Sequence, residues 1–162
     1  LIKIRSEQKN MDSMKKILAP NLCSMLSDRK ITKLFHFARF DVAVLYAKYK
    51  VLASPIFCTK IASKLVRTYT DKHGLKNLVQ EILDIDISKR QQSSDWGTEN
   101  LSESQKEYAA SDVLHLHKLM SNLEKRLERE KRSDLAKSCF SFLPYRSRLD
   151  IEGWKDEDIF SH

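Results

Sequence analysis

Two short apolar runs, Ile31 to Phe35 and Pro55 to Cys58, are set among longer stretches whose apolar residues recur at helical spacing. Runs that short suit buried strands, whereas apolar positions three and four apart turn one face of a helix toward a core. Ala38 to Tyr49, with Phe40, Val44, Leu45 and Ala47, therefore reads as a helix. So does the segment that Thr59 can cap, with Ile61, Ala62, Leu65 and Val66 inward. Leu75, Leu78, Val79, Ile82 and Leu83 mark another helix after the break at His73-Gly74. Leu1 to Arg5 alternates apolar with basic, as a strand does. Strand, helix, strand, helix, strand and then several helices is the order of an α/β domain whose small, mostly buried sheet is covered by helices.

The rest of the chain fits that plan. Pro20 opens a short helix through Ser27 with Leu22, Met25 and Leu26 on one side, and residues 86–100 are polar and irregular around Trp96. Ser102 and Gln105 have capping-box spacing, and the helix they open is expected to run to about Glu130 with Val113, Leu116, Leu119, Leu123 and Leu127 inward. A further helix from Ser133 to Phe142 leads to Pro144 and a less regular tail. The organisation expected is one domain over residues 1–143, with 144–162 as a tail packed on it. Only three Gly and three Pro occur in 162 residues, which excludes long flexible linkers and argues against a β-sandwich.

Lys and Arg number 29 against 22 Asp and Glu, a net charge of +7, which favours a polyanionic partner because neutralising phosphates releases counterions. The three cysteines, Cys23, Cys58 and Cys139, are far apart and odd in number, so they read as core thiols and not as a disulfide framework or zinc site. No apolar run approaches the roughly 18–20 residues that cross a bilayer, and the first ten residues lack a signal-peptide core. A cytoplasmic protein without an obligate protein partner is expected.

Two stretches carry chemistry. In Lys33 to Leu45 an acidic residue, Asp41, lies in an apolar segment just past a buried strand, where a carboxylate is costly unless it is paired or binds metal. In Glu107 to Leu114, Tyr108 and Asp112 are four apart and share one helical face. Carboxylates hold Mg²⁺ or Mn²⁺ through hard oxygens, two such ions about 4 Å apart can promote phosphodiester hydrolysis, and a tyrosine can position the attacking water.

These stretches resemble known motifs. HFARFDVAVL is similar to the second, and YAASDVLHL to the third, Tyr-x-x-x-Asp, motif of the ribonuclease D-like branch of the DEDD superfamily of 3′–5′ exonucleases. CTKIASKLVRTYTDKHGLKNLV and SSDWGTENLSESQKEYAASDV follow the same pattern, so the resemblance covers about residues 30–150. It implies a ribonuclease H-like exonuclease fold, a small mixed sheet flanked by helices. It implies Asp41 and Asp112 as ligands of two Mg²⁺ or Mn²⁺ ions, Tyr108 as the water-orienting group, and single-stranded nucleic acid, RNA favoured, as substrate. The family's first motif, Asp-x-Glu, does not occur upstream of Asp41, and the N-terminal strands that carry it are expected to be missing. The competing expectation is an inactive nucleic-acid-binding remnant; a helical interaction module built on the Leu116 to Leu127 stripe is a third. Lys72, Lys76, Lys89 and Arg90 are candidates for backbone-phosphate contacts, and Trp96 for stacking a base or anchoring a loop. His36 stands five before Asp41, a spacing at which a related branch uses histidine in place of tyrosine. Because Tyr108 already has the tyrosine's spacing, His36 reads as a packed residue at a strand end. His115 and His117 read as partly exposed helix positions.

Overall fold

The computed structural model describes residues 19–88 and 91–161, so the strand expected at Leu1 to Arg5 lies outside the described residues. Within them the order is α1 (Pro20–Ser27), β1 (Lys33–Phe35), α2 (Ala38–Tyr49), β2 (Ile56–Cys58), α3 (Thr59–Val66), α4 (Leu75–Leu83), α5 (Glu103–Leu114), α6 (Leu116–Arg129) and α7 (Ser133–Glu152). β1 and β2 pair in parallel, Lys33 with Ile56, Leu34 with Phe57 and Phe35 with Cys58, and α2 supplies the crossover that parallel pairing requires.

Successive strand residues face opposite sides of a sheet, and β2 uses both. Phe57 packs into a core with Leu78 and Val79 of α4 and Leu119, Leu123 and Leu127 of α6. Ile56 and Cys58 pack the other way, against Leu26 of α1, Ala38 and Val42 of α2 and Leu143 of α7. Helices therefore cover both faces, as an α/β layer arrangement demands.

α2 has the bounds expected for it, Ala38–Tyr49, and buries Ala38, Val42 and Ala43 while Phe40 is 63% exposed. Four local expectations are corrected. Ile31 is exposed and β1 is only three residues long; Lys33 is buried, with its ammonium donating to the Asp28 and Ser54 carbonyls. Thr59 does not cap α3 but is its first residue, with its hydroxyl donating to the Phe35 carbonyl at 3.2 Å. The helix expected from Ser102 to Glu130 breaks at His115, and Val113 is 58% exposed. The last helix continues past Phe142 and through Pro144 to Glu152. Proline removes one helical donor, but buried Leu143, Pro144 and Ser147 are held by packing, and Ser147 Oγ donates to the Arg39 carbonyl at 3.0 Å. Arg39 also forms a two-pronged pair with Asp150, at 2.6 and 2.7 Å, which fixes α7 along α2.

The capping box occurs as expected. Ser102 Oγ accepts from the Gln105 amide while the Gln105 side chain accepts from the Ser102 amide. Cys23 and Cys58 are buried thiols, and Cys139 is half-buried. Among the described residues no helix is long and apolar enough to cross a membrane.

Candidate active site

Ligands of parallel sheets collect beyond the carboxyl ends of the strands. β1 and β2 run out at Phe35 and Cys58, and past them opens a cleft of about 550 Å³. Asp41, in the first turn of α2, lines one side, and Tyr108 and Asp112 of α5 line it too. The three residues singled out in the sequence thus share one cavity. Tyr108 and Asp112 stand close enough for each to influence the other's titration, as their four-residue spacing allows. The break at His115 serves this arrangement: α6 sinks Leu116, Leu119, Leu123 and Leu127 into the core, while α5, whose buried residue is Gln105, lies over the cleft.

Burial dominates the electrostatics. The Asp41 carboxyl is pushed up to about 6 by desolvation, and its own backbone amide only partly offsets this. Asp112 is raised by the same cause, against the Tyr108 hydrogen bond. Desolvation first, then the neighbouring Asp112 charge, raises the Tyr108 phenol, so it remains protonated at neutral pH. Cations line the same cleft, Lys60 of α3 and Lys76 of α4, and Lys76 pairs with Asp86 at 2.7 Å.

Trp96 does not line the cleft. Its ring lies 6.0 Å from that of Tyr108, and its Nε1 donates to the Gln91 carbonyl. Gln105 Nε2 donates to Ser94 Oγ and the Asp95 carbonyl, so the loop bearing Trp96 is tied to α5 behind Tyr108. Lys72 is exposed outside the cleft, and Lys89 and Arg90 lie outside the described residues. His115 and His117 do not line it either. Sequence reasoning missed Lys60 and Phe37, and it read His36 as a packed residue at a strand end; all three line the cleft. Phe37 caps α2 in the left-handed region, φ 67° and ψ 41°, a conformation costing a non-glycine residue about 1 kcal/mol. Lys60 Nζ stands 4.0 Å above its ring. No sequence pattern announces that geometry.

The donor chemistry fits a hard divalent ion. Two carboxylates line one cleft, neither paired with a cation among the described residues, and Mg²⁺ is commonly held by one or two carboxylates with water and substrate phosphates filling the remaining positions. No group of three or more His, Cys, Asp or Glu side chains gathers for a metal among the described residues; Asp41 and Asp112 are the carboxylates that line this cleft.

Asp41's pKa of about 6 lies above its ordinary 3.8, so the folded chain holds that proton more tightly than the unfolded one. Metal-free stability therefore falls as pH rises from about 4 to about 6 and stays lower above it. Asp41→Asn is expected to raise the metal-free Tm at pH 7 by about 2–6 °C and to lose the Mn²⁺-induced rise of the parent chain. Thermal melts at pH 5 and 7, with and without Mn²⁺, read both effects; an unchanged metal-free Tm would contradict a desolvated, half-buried and unpaired carboxylate.

Comparison with known proteins converges on one group. The family model described as 3′–5′ exonuclease matches residues 4–128. Ribonuclease D of Gluconacetobacter diazotrophicus is 38% identical over 137 residues, which are 83% of this chain and 34% of that protein. The chain thus spans about a third of the length of the curated relatives it matches. Among solved structures, Brucella melitensis NrnC is 59% identical with a TM-score of 0.87, over 91% of this chain and 72% of that one, and it has also been solved bound to pGG and with bound Mg²⁺. Escherichia coli RNase D is 25% identical with a TM-score of 0.73, over 83% of this chain and 36% of that one.

Proposed function

The chain belongs to the 3′–5′ exonuclease family, and from that premise we propose that it hydrolyses the 3′-terminal phosphodiester of single-stranded nucleic acid, RNA by preference, using two Mg²⁺ or Mn²⁺ ions. One observation carries this reading: a single cleft gathers Asp41 from α2 and the Tyr108–Asp112 pair from α5 together with Lys60 and Lys76. The preference for RNA and the use of Mg²⁺ are supported by the ribonuclease D relatives and by the Brucella nuclease, solved with pGG and with Mg²⁺.

Asp41 and Asp112 would hold the cations, and burial of both carboxyls sharpens their demand for positive charge. A bound divalent ion supplies Lewis acidity, which lowers the pKa of water and stabilises negative charge on the phosphoryl oxygens. Tyr108 orients the attacking water; its raised pKa keeps the phenol protonated at neutral pH, so it is not available to take the water's proton. Lys60 and Lys76 meet phosphate oxygens of the chain being degraded. Attack of water at the terminal phosphorus breaks the bond to the 3′ oxygen, leaving a new 3′-hydroxyl end and a nucleoside 5′-monophosphate.

The test is product analysis with the full chain. RNA and DNA oligonucleotides labelled at the 5′ end should shorten one nucleotide at a time in Mg²⁺ or Mn²⁺, release 5′-monophosphates, and remain intact in EDTA. Internal cuts, 3′-phosphate products or metal-independent cleavage would refute the reading. Binding without hydrolysis in either ion would favour a remnant that retains only its nucleic-acid surface.

A further inference from the structure

His36 follows β1 and lines the cleft beside Asp41 and Lys60. Its Nδ1 lies 2.9 Å from Thr59 Oγ1, and that oxygen lies 3.2 Å from the Phe35 carbonyl. A threonine hydroxyl has one proton, and a carbonyl can only accept. If that proton pointed at His36, two oxygens would face each other at 3.2 Å with no hydrogen between them. The consistent assignment has Thr59 donating to Phe35 and His36 Nδ1–H donating to Thr59. The other ring nitrogen, Nε2, is then unprotonated.

That nitrogen belongs to a ring that lines the cleft. It has no hydrogen-bond partner among the described residues, and no buried side-chain nitrogen or oxygen among them lacks one, so Nε2 must reach solvent. The ring stays neutral, since desolvation and the adjacent Lys60 ammonium hold its pKa at about 4. Nor does Nε2 complete a metal site, because no three acidic, histidine or cysteine side chains gather for one among the described residues.

Resting on the exonuclease reading, we propose that His36 is a specificity-determining residue whose Nε2 accepts a hydrogen bond from a ribose hydroxyl at the 3′ end of the substrate. A nucleic-acid backbone presents almost only acceptors, which Lys60 and Lys76 can meet. Its donors are ribose hydroxyls and the N–H groups of base edges. Base edges change with every nucleotide removed, whereas the sugar does not, so a fixed acceptor serving successive nucleotides matches the sugar. Thr59, fully buried at the head of α3, is the positioning residue: it spends its proton on β1 and thereby fixes the tautomer of His36.

The test measures binding of reaction products, so no turnover is needed. The full chain in Mg²⁺ is titrated with 5′-AMP, 2′-deoxy-AMP and 3′-deoxy-AMP, and oligonucleotides ending in the same three sugars are compared in kcat/KM. Loss of the recognised hydroxyl should weaken binding about 3–10-fold, the deoxy compound that binds more weakly identifying it as 2′ or 3′. His36→Phe should erase that difference while keeping the Mn²⁺-induced rise in Tm. His36→Gln, which can place an amide oxygen near the position of Nε2, should retain part of it. Thr59→Val should shift the ¹⁵N resonances of His36 away from the pattern of a single Nδ1–H tautomer. A parent chain that hydrolyses RNA yet binds all three nucleotides alike overturns this proposal alone. So does a hydroxyl preference that survives His36→Phe, or loss of the Mn²⁺ effect in that variant, which would make His36 a ligand. A parent chain that neither hydrolyses nor binds nucleotides overturns the exonuclease reading itself.

Discussion

Asp112→Asn should lower metal-dependent release of nucleotides from a 3′ end by more than about 100-fold. Removing partners that merely orient metal ligands costs about 10–100-fold, so a direct ligand should cost more. Asparagine keeps the size of Asp112 and an oxygen for the Tyr108 hydroxyl, so the loss would report charge and not packing. Tyr108→Phe should cost less, about 10–100-fold, because it removes a hydroxyl that orients water while leaving both carboxylates in place. Phenylalanine also retains the ring contact with Trp96. The measurement is kcat at saturating Mn²⁺, together with the Mn²⁺ concentration giving half-maximal rate. Asp112→Asn should change both, whereas Tyr108→Phe should change kcat alone. Equal losses from the two substitutions would mean that Tyr108 does more than orient water.

Tyr108 and Asp112 share a helical face by spacing, and Asp41 is an acid in an apolar segment beside a strand, but such patterns are common. The resemblance of both stretches to exonuclease motifs is what singled the three out, and their sharing one cleft is what the structure adds. The layer arrangement was legible because its signal is local, since the short apolar runs and the helical periodicity persist in the structure. What escaped depends on contacts distant in sequence. His36 and Thr59 are 23 residues apart, and only the parallel pairing of β1 with β2 makes them neighbours. The break at His115 has no glycine or proline to announce it; apolar Val113 and Leu114 continue the helical pattern and yet end up exposed, because α5 follows the cleft and α6 follows the core. The course of α7 through Pro144 was hidden by the opposite effect, packing on α2 outweighing a local helix breaker.

The largest stability effect should come from Glu81→Gln. Arg67, at the end of α3, has a side chain only 1% exposed, and its guanidinium pairs with Glu81 of α4 through Nε at 2.9 Å and through Nη2. Arg67 Nη1 also donates to Ser63 Oγ at 3.0 Å and to the Lys72 carbonyl at 2.8 Å. These bonds tie down the 67–73 segment that delivers Gly74 and Lys76 to the cleft. Neutralising Glu81 leaves a buried guanidinium without its counter-charge, whereas neutralising Arg67 leaves an acid that is 38% exposed and able to turn to water. Breaking a fully buried pair costs roughly 3–5 kcal/mol; because water reaches Glu81, about 2–4 kcal/mol is expected, a fall in Tm of about 10 °C. Arg67→Met should cost less than Glu81→Gln. The pH dependence checks the cause. The Arg67 guanidinium holds the Glu81 carboxyl down at about 2, below its ordinary 4.5, so the pair's contribution is fully present above about pH 4.5 and is lost as pH falls toward 2. Denaturant unfolding from pH 7 to pH 2.5 should therefore show a stability gap between the parent chain and Glu81→Gln that is constant above pH 5 and narrows below it. A gap that does not change with pH would assign the loss to packing and not to charge.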